Sequence, residues 1–363
     1  MKEESFTQRL HLDIPLILGL FLTCGLGIVV LYSAAGQDIT IVYRQGIRIA
    51  IAFLLMILIA QIHPIRLARI SLWLFVTGIV LLIIVLTMGY VSNGAQRWLD
   101  VGLFRFQPSE LMKLSVPMVL AWYFSEKSLP PSALQIIAAI AIILVPVLLI
   151  AQQPDLGTAI LVAVGGFSVL FIAGMSFRYL VVFGVLASMF TPVLWFFMHD
   201  YQRQRVLSFL NPDQDPLGAG YHIIQSMIAI GSGGLYGKGW LNGTQSHLEF
   251  LPERSTDFIF AVLCEEFGFT GVLLLLSLYT FIFLRGIYIS INAQQLFGKL
   301  LGISLVVTFF VYVIVNMGMV TGQLPVVGVP LPLISHGGSS IVTLMIGFGI
   351  LMAIHTHRHY LSP

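Results

Sequence analysis

Three acids stand where a carboxylate could take or hold a proton: Glu110 in Gln107-Pro-Ser-Glu110, Asp155 in Gln153-Pro-Asp155 and Asp257 in Ser255-Thr-Asp257. Each opens a long apolar run. A positioned carboxylate can serve as a general base toward a hydroxyl. The same placement has an ordinary structural explanation, because Pro at a helix start and an acid in the first turn are helix-start chemistry. Lys113 follows Glu110 by three residues, on the same helical face, so the two can pair. Five arginines lie near the same boundaries: Arg97, Arg105, Arg203, Arg205 and Arg254. Guanidinium groups beside helix N-termini suit a phosphate or pyrophosphate. Arginines at a membrane boundary also act as snorkelling anchors.

The elements that must position these groups follow from composition. The chain has 363 residues, 58% hydrophobic and only 9% charged, with 18 Lys and Arg against 16 Asp and Glu. Soluble domains carry about a quarter charged residues. This composition excludes a soluble enzyme, a disordered tail and a nucleic-acid binder with a basic face. Ten apolar runs are long enough to cross a bilayer as helices, which satisfy their own backbone polar groups. They are approximately Ile14–Ser33, Ile47–Ile62, Ile70–Tyr90, Pro108–Phe124, Leu134–Ile150, Asp155–Ala173, Phe177–Met198, Asp257–Leu284, Leu300–Gly322 and Ser339–Ile354. The expectation is an all-α integral membrane protein, one polytopic domain over 1–363, with the first span an uncleaved anchor. With the N-terminus cytoplasmic, the inner loops and edges hold Lys2, Arg9, Arg66, Arg69, Lys127, Arg178, Arg285, Lys299 and Arg358, and the outer short loops and edges hold Arg44, Arg48, Arg97 and Arg105; the long outer loop, which the rule discounts, holds four more. The positive-inside rule then puts both termini in the cytoplasm. All three acids fall at the outer boundary, where ionisable groups are functional candidates.

One segment is not apolar. Residues 199–256 form a large extracytoplasmic loop between the seventh and eighth spans, and loops this long are usually functional or disordered. Tyr221, Tyr236, Trp240 and an amphipathic run over 221–230 point to order. Its stretch Gly231-Ser-Gly-Gly-Leu-Tyr-Gly-Lys-Gly239 fails as a phosphate loop: Ser232 stands where the first glycine belongs and Gly239 where Ser or Thr would hold magnesium. A tight turn or a close backbone approach is expected instead. Cys24 and Cys264, far apart, read as packing residues. The tail histidines His355, His357 and His359 read as a basic anchor. The Pro- and Gly-rich stretch Gly328–Ser340 reads as a cavity wall, since irregular backbone at membrane depth must line a cavity or be buried in protein.

Several of these stretches resemble the signature of the shape, elongation, division and sporulation (SEDS) family. They are Gly94–Asp100, Phe106–Glu110, Gln153–Thr158, Phe250–Phe260 and Asn316–Gly322 with Leu324-Pro325 and Gly328–Ser340. The resemblance covers essentially the whole chain, and Tyr201–Val206, Pro216–Ser226 and His355–Arg358 resemble the branch that sets rod shape rather than the one that serves division. Gln323 stands where the signature has an aliphatic residue and His336 where it more often has Tyr. The resemblance implies a ten-span fold in the bacterial cytoplasmic (inner) membrane and a peptidoglycan glycosyltransferase with its site facing the periplasm. It implies lipid II as substrate, Asp257 as the essential carboxylate, and Asp155 and Glu110, the latter with Lys113, as supporting acids. It also implies a class B penicillin-binding protein transpeptidase and other elongation-complex proteins as partners.

The chemistry agrees with the residues. A sugar hydroxyl must lose a proton as it attacks the anomeric carbon of the donor, and Asp257 could take it. A pyrophosphate leaving group needs its charge neutralised, by Arg97, Arg205 and Arg254 or by a divalent cation, Mg or Mn. The sequence names no metal ligands and calls for no organic cofactor. A helix dipole would lower the pKa of Asp257 and burial would raise it. Two other functions fit the same features: a flippase for lipid-linked precursor and a scaffold for a partner enzyme.

Overall fold

Apolar runs bounded by Asp, His, Ser and Pro become capped helices in the computed structural model, which describes residues 11–92, 95–100, 102, 105–179, 181–182, 184–185, 188–189, 196, 200–211, 219–247, 251 and 253–357. Helix α1 (Ile14–Ala34) is capped by Asp13, whose carboxylate accepts from Leu16 N at 3.0 Å. Asp38 caps α2 (Ile39–Ala60) and His63 caps α3 (Pro64–Met88) in the same way. Then come α4 (Pro108–Ser125), α5 (Ala133–Gln152) with a Ser132–Gln135 capping box, and α6 (Leu156–Ile172). The outer segment contributes α7 (Asp200–Leu210), α8 (Ala219–Gly233) and the short α9 (Thr244–His247). Helices α10 (Ile259–Ile291), α11 (Leu296–Val320) and α12 (Ser339–Thr356) complete the described chain.

Among the described residues, seven helices (α1, α2, α3, α5, α10, α11 and α12) are long and apolar enough to cross a membrane, and α6 is a shorter apolar helix. The protein is a multi-pass membrane protein. Helix α4 is the polar exception. It carries Glu110 and Lys113, is buried along almost its whole length, and packs against α3, α6, α11 and α12. A bundle can carry a charged helix only where protein, not lipid, surrounds it. The span expected over 177–198 falls largely outside the described residues.

The structure corrects three expectations. The second span starts at Ile39 rather than Ile47, so Arg44 and Arg48 belong to the helix; Asp38 supplies the cap that apolarity alone does not reveal. In a chain expected to be all-α, the loop between α3 and α4 carries a small antiparallel sheet of β1 (Tyr90–Ser92), β2 (Ala95–Asp100) and β3 (Arg105–Phe106), with Tyr90 opposite Trp98 and Leu99 opposite Phe106. The eighth span is longer than expected and broken. Gly268 interrupts α10 with φ 61° and ψ −158°, a conformation open essentially only to glycine.

That break explains the glycine-rich stretch. Lys238 N and Gly239 N donate to the carbonyls of Glu265 and Glu266, and Phe269 N and Thr270 N donate to those of Gly234 and Leu235. A Cβ on Gly237 would lie 2.1 Å from Glu266 O. The outer turn is therefore pressed directly onto the broken helix backbone, and Lys238 Nζ reaches Glu265 Oε1 at 2.7 Å. Helix α8 does not lie alone on a surface. It packs on α10 and α11, with Ser226 Oγ donating to Val320 O at 2.8 Å.

The first and last described residues meet at one face of the bundle. Asp13 Oδ1 and Oδ2 accept from Arg285 Nε at 3.0 Å and Nη2 at 2.7 Å, and His355 Nδ1 lies 3.0 Å from Oδ2. His357 stacks on His11 with ring centroids 4.1 Å apart. The far end of α1 contacts the outer segment, where Trp240 Nε1 donates to Val29 O and Ser33 Oγ to Glu266.

Candidate active site

At the end of the bundle opposite the chain termini, helix starts and loops enclose a polar cavity of about 230 Å³. Glu110, Asp155 and Asp257 all line it, together with Arg97, Gln107, Tyr312, His336 and the Gly328–Pro330 turn. Three acids separated by about fifty or a hundred residues in sequence thus share one chamber.

Their local roles differ. Glu110 sits in the first turn of α4, 4% exposed, and its Oε1 accepts from Lys113 Nζ at 2.7 Å. Lys113 lies over the Tyr312 ring at 4.9 Å. Among the described residues Glu110 Oε2 has no hydrogen-bond partner. Asp155 is the N-cap of α6 rather than a first-turn residue: Oδ1 accepts from Thr158 N at 3.3 Å and Oδ2 from Gln107 Nε2 at 2.7 Å. Asp257 lies two residues before α10 begins. Among the described residues none donates a hydrogen bond to its carboxylate. Burial pushes its pKa up to about 6, helped by Glu253 and opposed by the charges of Arg205 and Arg97. Burial is the largest influence on Asp257.

The arginines do not form one cluster. Arg97 lines the cavity from β2, but its Nε donates to Gln153 O at 3.2 Å, its Nη2 donates to Pro154 O, and its Nη1 lies 3.9 Å from Asp155 Oδ1. It staples the break between α5 and α6. Arg205, half-buried on α7, acts on Asp257 through its charge. Arg254 sits beside the α1–α2 turn, with its Nη2 3.6 Å from where a Cβ on Gly36 would be. Arg105 pairs with Asp100 and stacks on Tyr90, and Arg203 donates to Phe196 O, so neither lines the cavity.

Residues that sequence reasoning did not assign to the site line the cavity or brace its wall from behind. Arg48 on α2 donates from Nη1 to His336 Nε2 at 2.9 Å. Because a guanidinium only donates, the His336 proton sits on Nδ1. Burial and the charges of Arg48 and Arg44 lower the His336 pKa and favour the neutral ring. Gln107 was visible only as the polar residue before a helix-starting proline. Asn316 and Ser335, in the quoted signature stretches, hold backbone rather than line the cavity. Among the described residues no group of three or more His, Cys, Asp or Glu is placed to hold a metal ion.

The family model FTSW_RODA_SPOVE, described as cell cycle protein, matches residues 8–360. The chain belongs to this family. Within it, the chain is 53% identical over 361 residues to "Peptidoglycan glycosyltransferase MrdB" of Escherichia coli strain K12, covering 99% of this chain and 98% of that one. It is 33% identical to "Peptidoglycan glycosyltransferase RodA" of Treponema pallidum, covering 95% and 98%. Among solved structures, a chain from a peptidoglycan synthase complex that coordinates polymerization and crosslinking superposes with a TM-score of 0.84 at 34% identity, covering 96% of this chain and 98% of that one. The rod shape determining protein RodA of Thermus thermophilus superposes with a TM-score of 0.73 at 30% identity, covering 96% and 97%. The FTSW_RODA_SPOVE fold thus extends over essentially the whole chain.

Proposed function

We propose that this protein is a peptidoglycan glycosyltransferase that polymerises lipid II into glycan strands during cell elongation, with Asp257 as general base. The observation that carries the reading is a buried carboxylate on the wall of a polar cavity, with no hydrogen-bond donor among the described residues and a pKa raised to about 6. Such a group is ionised at neutral pH yet basic enough to take a proton. Peptidoglycan glycosyltransferases among its full-length relatives support the substrate class.

In the proposed reaction a sugar hydroxyl of one chain attacks the anomeric carbon of the donor and gives its proton to Asp257. The new C–O bond forms as the bond to the pyrophosphate oxygen breaks, and undecaprenyl diphosphate leaves with the electron pair. One displacement inverts the anomeric configuration. The leaving group departs as an anion, so no second carboxyl group is needed to protonate it, unlike in glycoside hydrolysis. Arg205 and Arg97 supply positive charge already felt at Asp257. Arg254 lies toward the α1–α2 turn and would act at the edge of the site. The described side chains offer Mg or Mn no cage of three ligands, so a divalent cation would depend on the pyrophosphate for most of its coordination.

The excess of Lys and Arg on the terminal side supports a cytoplasmic position for that side and a cavity that faces the periplasm of the inner membrane. A class B penicillin-binding protein is the proposed partner, supported by the similar chain found in a peptidoglycan synthase complex.

The deciding experiment is glycan formation from purified lipid II in detergent, with the partner present. Wild-type protein yields polymer and Asp257→Ala yields none. Polymer from Asp257→Ala at the wild-type rate overturns the assignment of the base. Absence of polymer from folded wild-type protein would favour the flippase reading, since translocation has no meaning without a bilayer.

A further inference from the structure

The segment that carries Asp257 is held by its backbone. Three consecutive carbonyls accept hydrogen bonds from elsewhere in the chain. Ser255 O accepts from His336 N at 2.8 Å, Thr256 O from Ser335 Oγ at 2.6 Å, and Asp257 O from Asn316 Nδ2 at 2.9 Å. The donors come from α11 and from the loop before α12, not from the segment itself.

Each side-chain donor is fully committed. Ser335 Oγ accepts from Leu331 N at 2.7 Å, so its single proton is left for Thr256 O. Asn316 directs its second amide proton to Val329 O at 2.7 Å. Asn316 is completely buried, Ser335 is 5% exposed, and neither lines the cavity. Among the described residues none donates a hydrogen bond to the carboxylate of Asp257, and the hydrogen bonds that hold this residue reach its backbone. A general base must come within about 3 Å of the proton it removes.

We infer that Ser335 and Asn316 are positioning residues that fix Asp257 at its place in the cavity without touching substrate. The inference rests on the reading of Asp257 as the base. It has a specific signature. A displaced base slows the chemical step and leaves substrate binding intact, and a displacement of 1 Å can slow a reaction by about 10²-fold.

The test is steady-state polymerisation of lipid II by the full-length protein with its partner. Ser335→Ala is expected to lower kcat by about 10- to 100-fold while KM changes by less than about twofold. Ser335→Thr, which keeps the hydroxyl, recovers most of the lost turnover. Asn316→Ala, which frees the neighbouring carbonyl through an unrelated side chain, lowers kcat in the same way and decides the matter alone if Ser335→Ala does not fold. Wild-type kcat in either folded variant overturns the inference, as does a raised KM at unchanged kcat. Asp257→Ala is run alongside. If it remains active, the base assignment fails; if it is inactive while Ser335→Ala turns over normally, only the positioning role fails.

Discussion

Gln107 Nε2 donates to Asp155 Oδ2 at 2.7 Å inside the protein, which joins the start of α4 to the start of α6 across the cavity. The amide can only donate from that nitrogen, so Asp155 Oδ2 is the acceptor. Gln107→Glu would set a second carboxylate against it, and like charges at this separation do not both ionise. The expected result is loss of polymerisation by 10-fold or more together with a lowered Tm. Gln107→Ala should be milder. Melting curves and initial rates of the two variants check the ranking.

The pH profile follows from Asp257. Its pKa is raised to about 6, so kcat should rise with pH through about 6 and level off above it. Glu253 pushes the group up and Arg205 and Arg97 pull it down. Glu253→Gln should therefore move the acid limb to lower pH and Arg205→Gln to higher pH. The stability effect has a definite sign. A carboxyl group that binds its proton more tightly when folded loses stability for the protein as pH rises from about 4 through 6. Asp257→Asn should thus melt above the wild type at pH 7.5, and the gap should close as pH falls below about 4. Scans at the two pH values decide it.

Arg97 and Arg205 should fail differently. Arg97 bridges the carbonyls of Gln153 and Pro154 through its planar fork, a geometry that Lys does not reproduce. Arg97→Lys should lower both Tm and activity. Arg205→Gln should weaken lipid II turnover and move the acid limb of its pH profile, because its charge is felt at Asp257. An unshifted acid limb in Arg205→Gln would contradict this division.

The opposite face offers a stability test. Burial works to raise the Asp13 pKa, but hydrogen bonds from His355, Arg285 and Leu16 N overcome it and hold the carboxyl group well below its usual range. Its contribution is present above the ordinary carboxylate pKa and is lost as pH falls below it. Asp13→Asn should destabilise by about 3 kcal/mol while leaving kcat per folded molecule unchanged. Thermal unfolding at neutral pH measures it.

The sequence made the bundle legible because apolarity is a strong signal: α1, α3, α5 and α11 lie close to the runs read from it. The start of α2 escaped because a helix can extend past its apolar run when a cap such as Asp38 and a buried polar residue such as Gln45 hold it. Glu110, Asp155 and Asp257 were legible as costly charges in a greasy chain. Their common chamber followed from chain topology. The neighbours that place them were not legible: Gln107, Asn316 and Ser335 are ordinary polar residues whose meaning depends on which carbonyl or carboxylate the fold brings within 3 Å. The arginines were over-read for a similar reason, since Arg105 and Arg203 satisfy local partners instead.

The break at Gly268 bears on how the enzyme fits bilayers of different thickness. Unbroken, the 33 residues of α10 would be about 50 Å long, well beyond the roughly 30 Å of a hydrocarbon core. Residues 269–291 alone, at about 1.5 Å each, span about 34 Å. The stretch from 259 to 267 is tied to the outer turn and carries the segment of Asp257. The outer turn clamps the break on both sides, through Glu265 O and Glu266 O before Gly268 and through Phe269 N and Thr270 N after it, so a tilt that matches a thinner or thicker lipid environment arises in the helix below Thr270. Mismatch between protein and lipid is taken up below the chamber, and the height at which sugars are joined stays fixed by protein contacts alone.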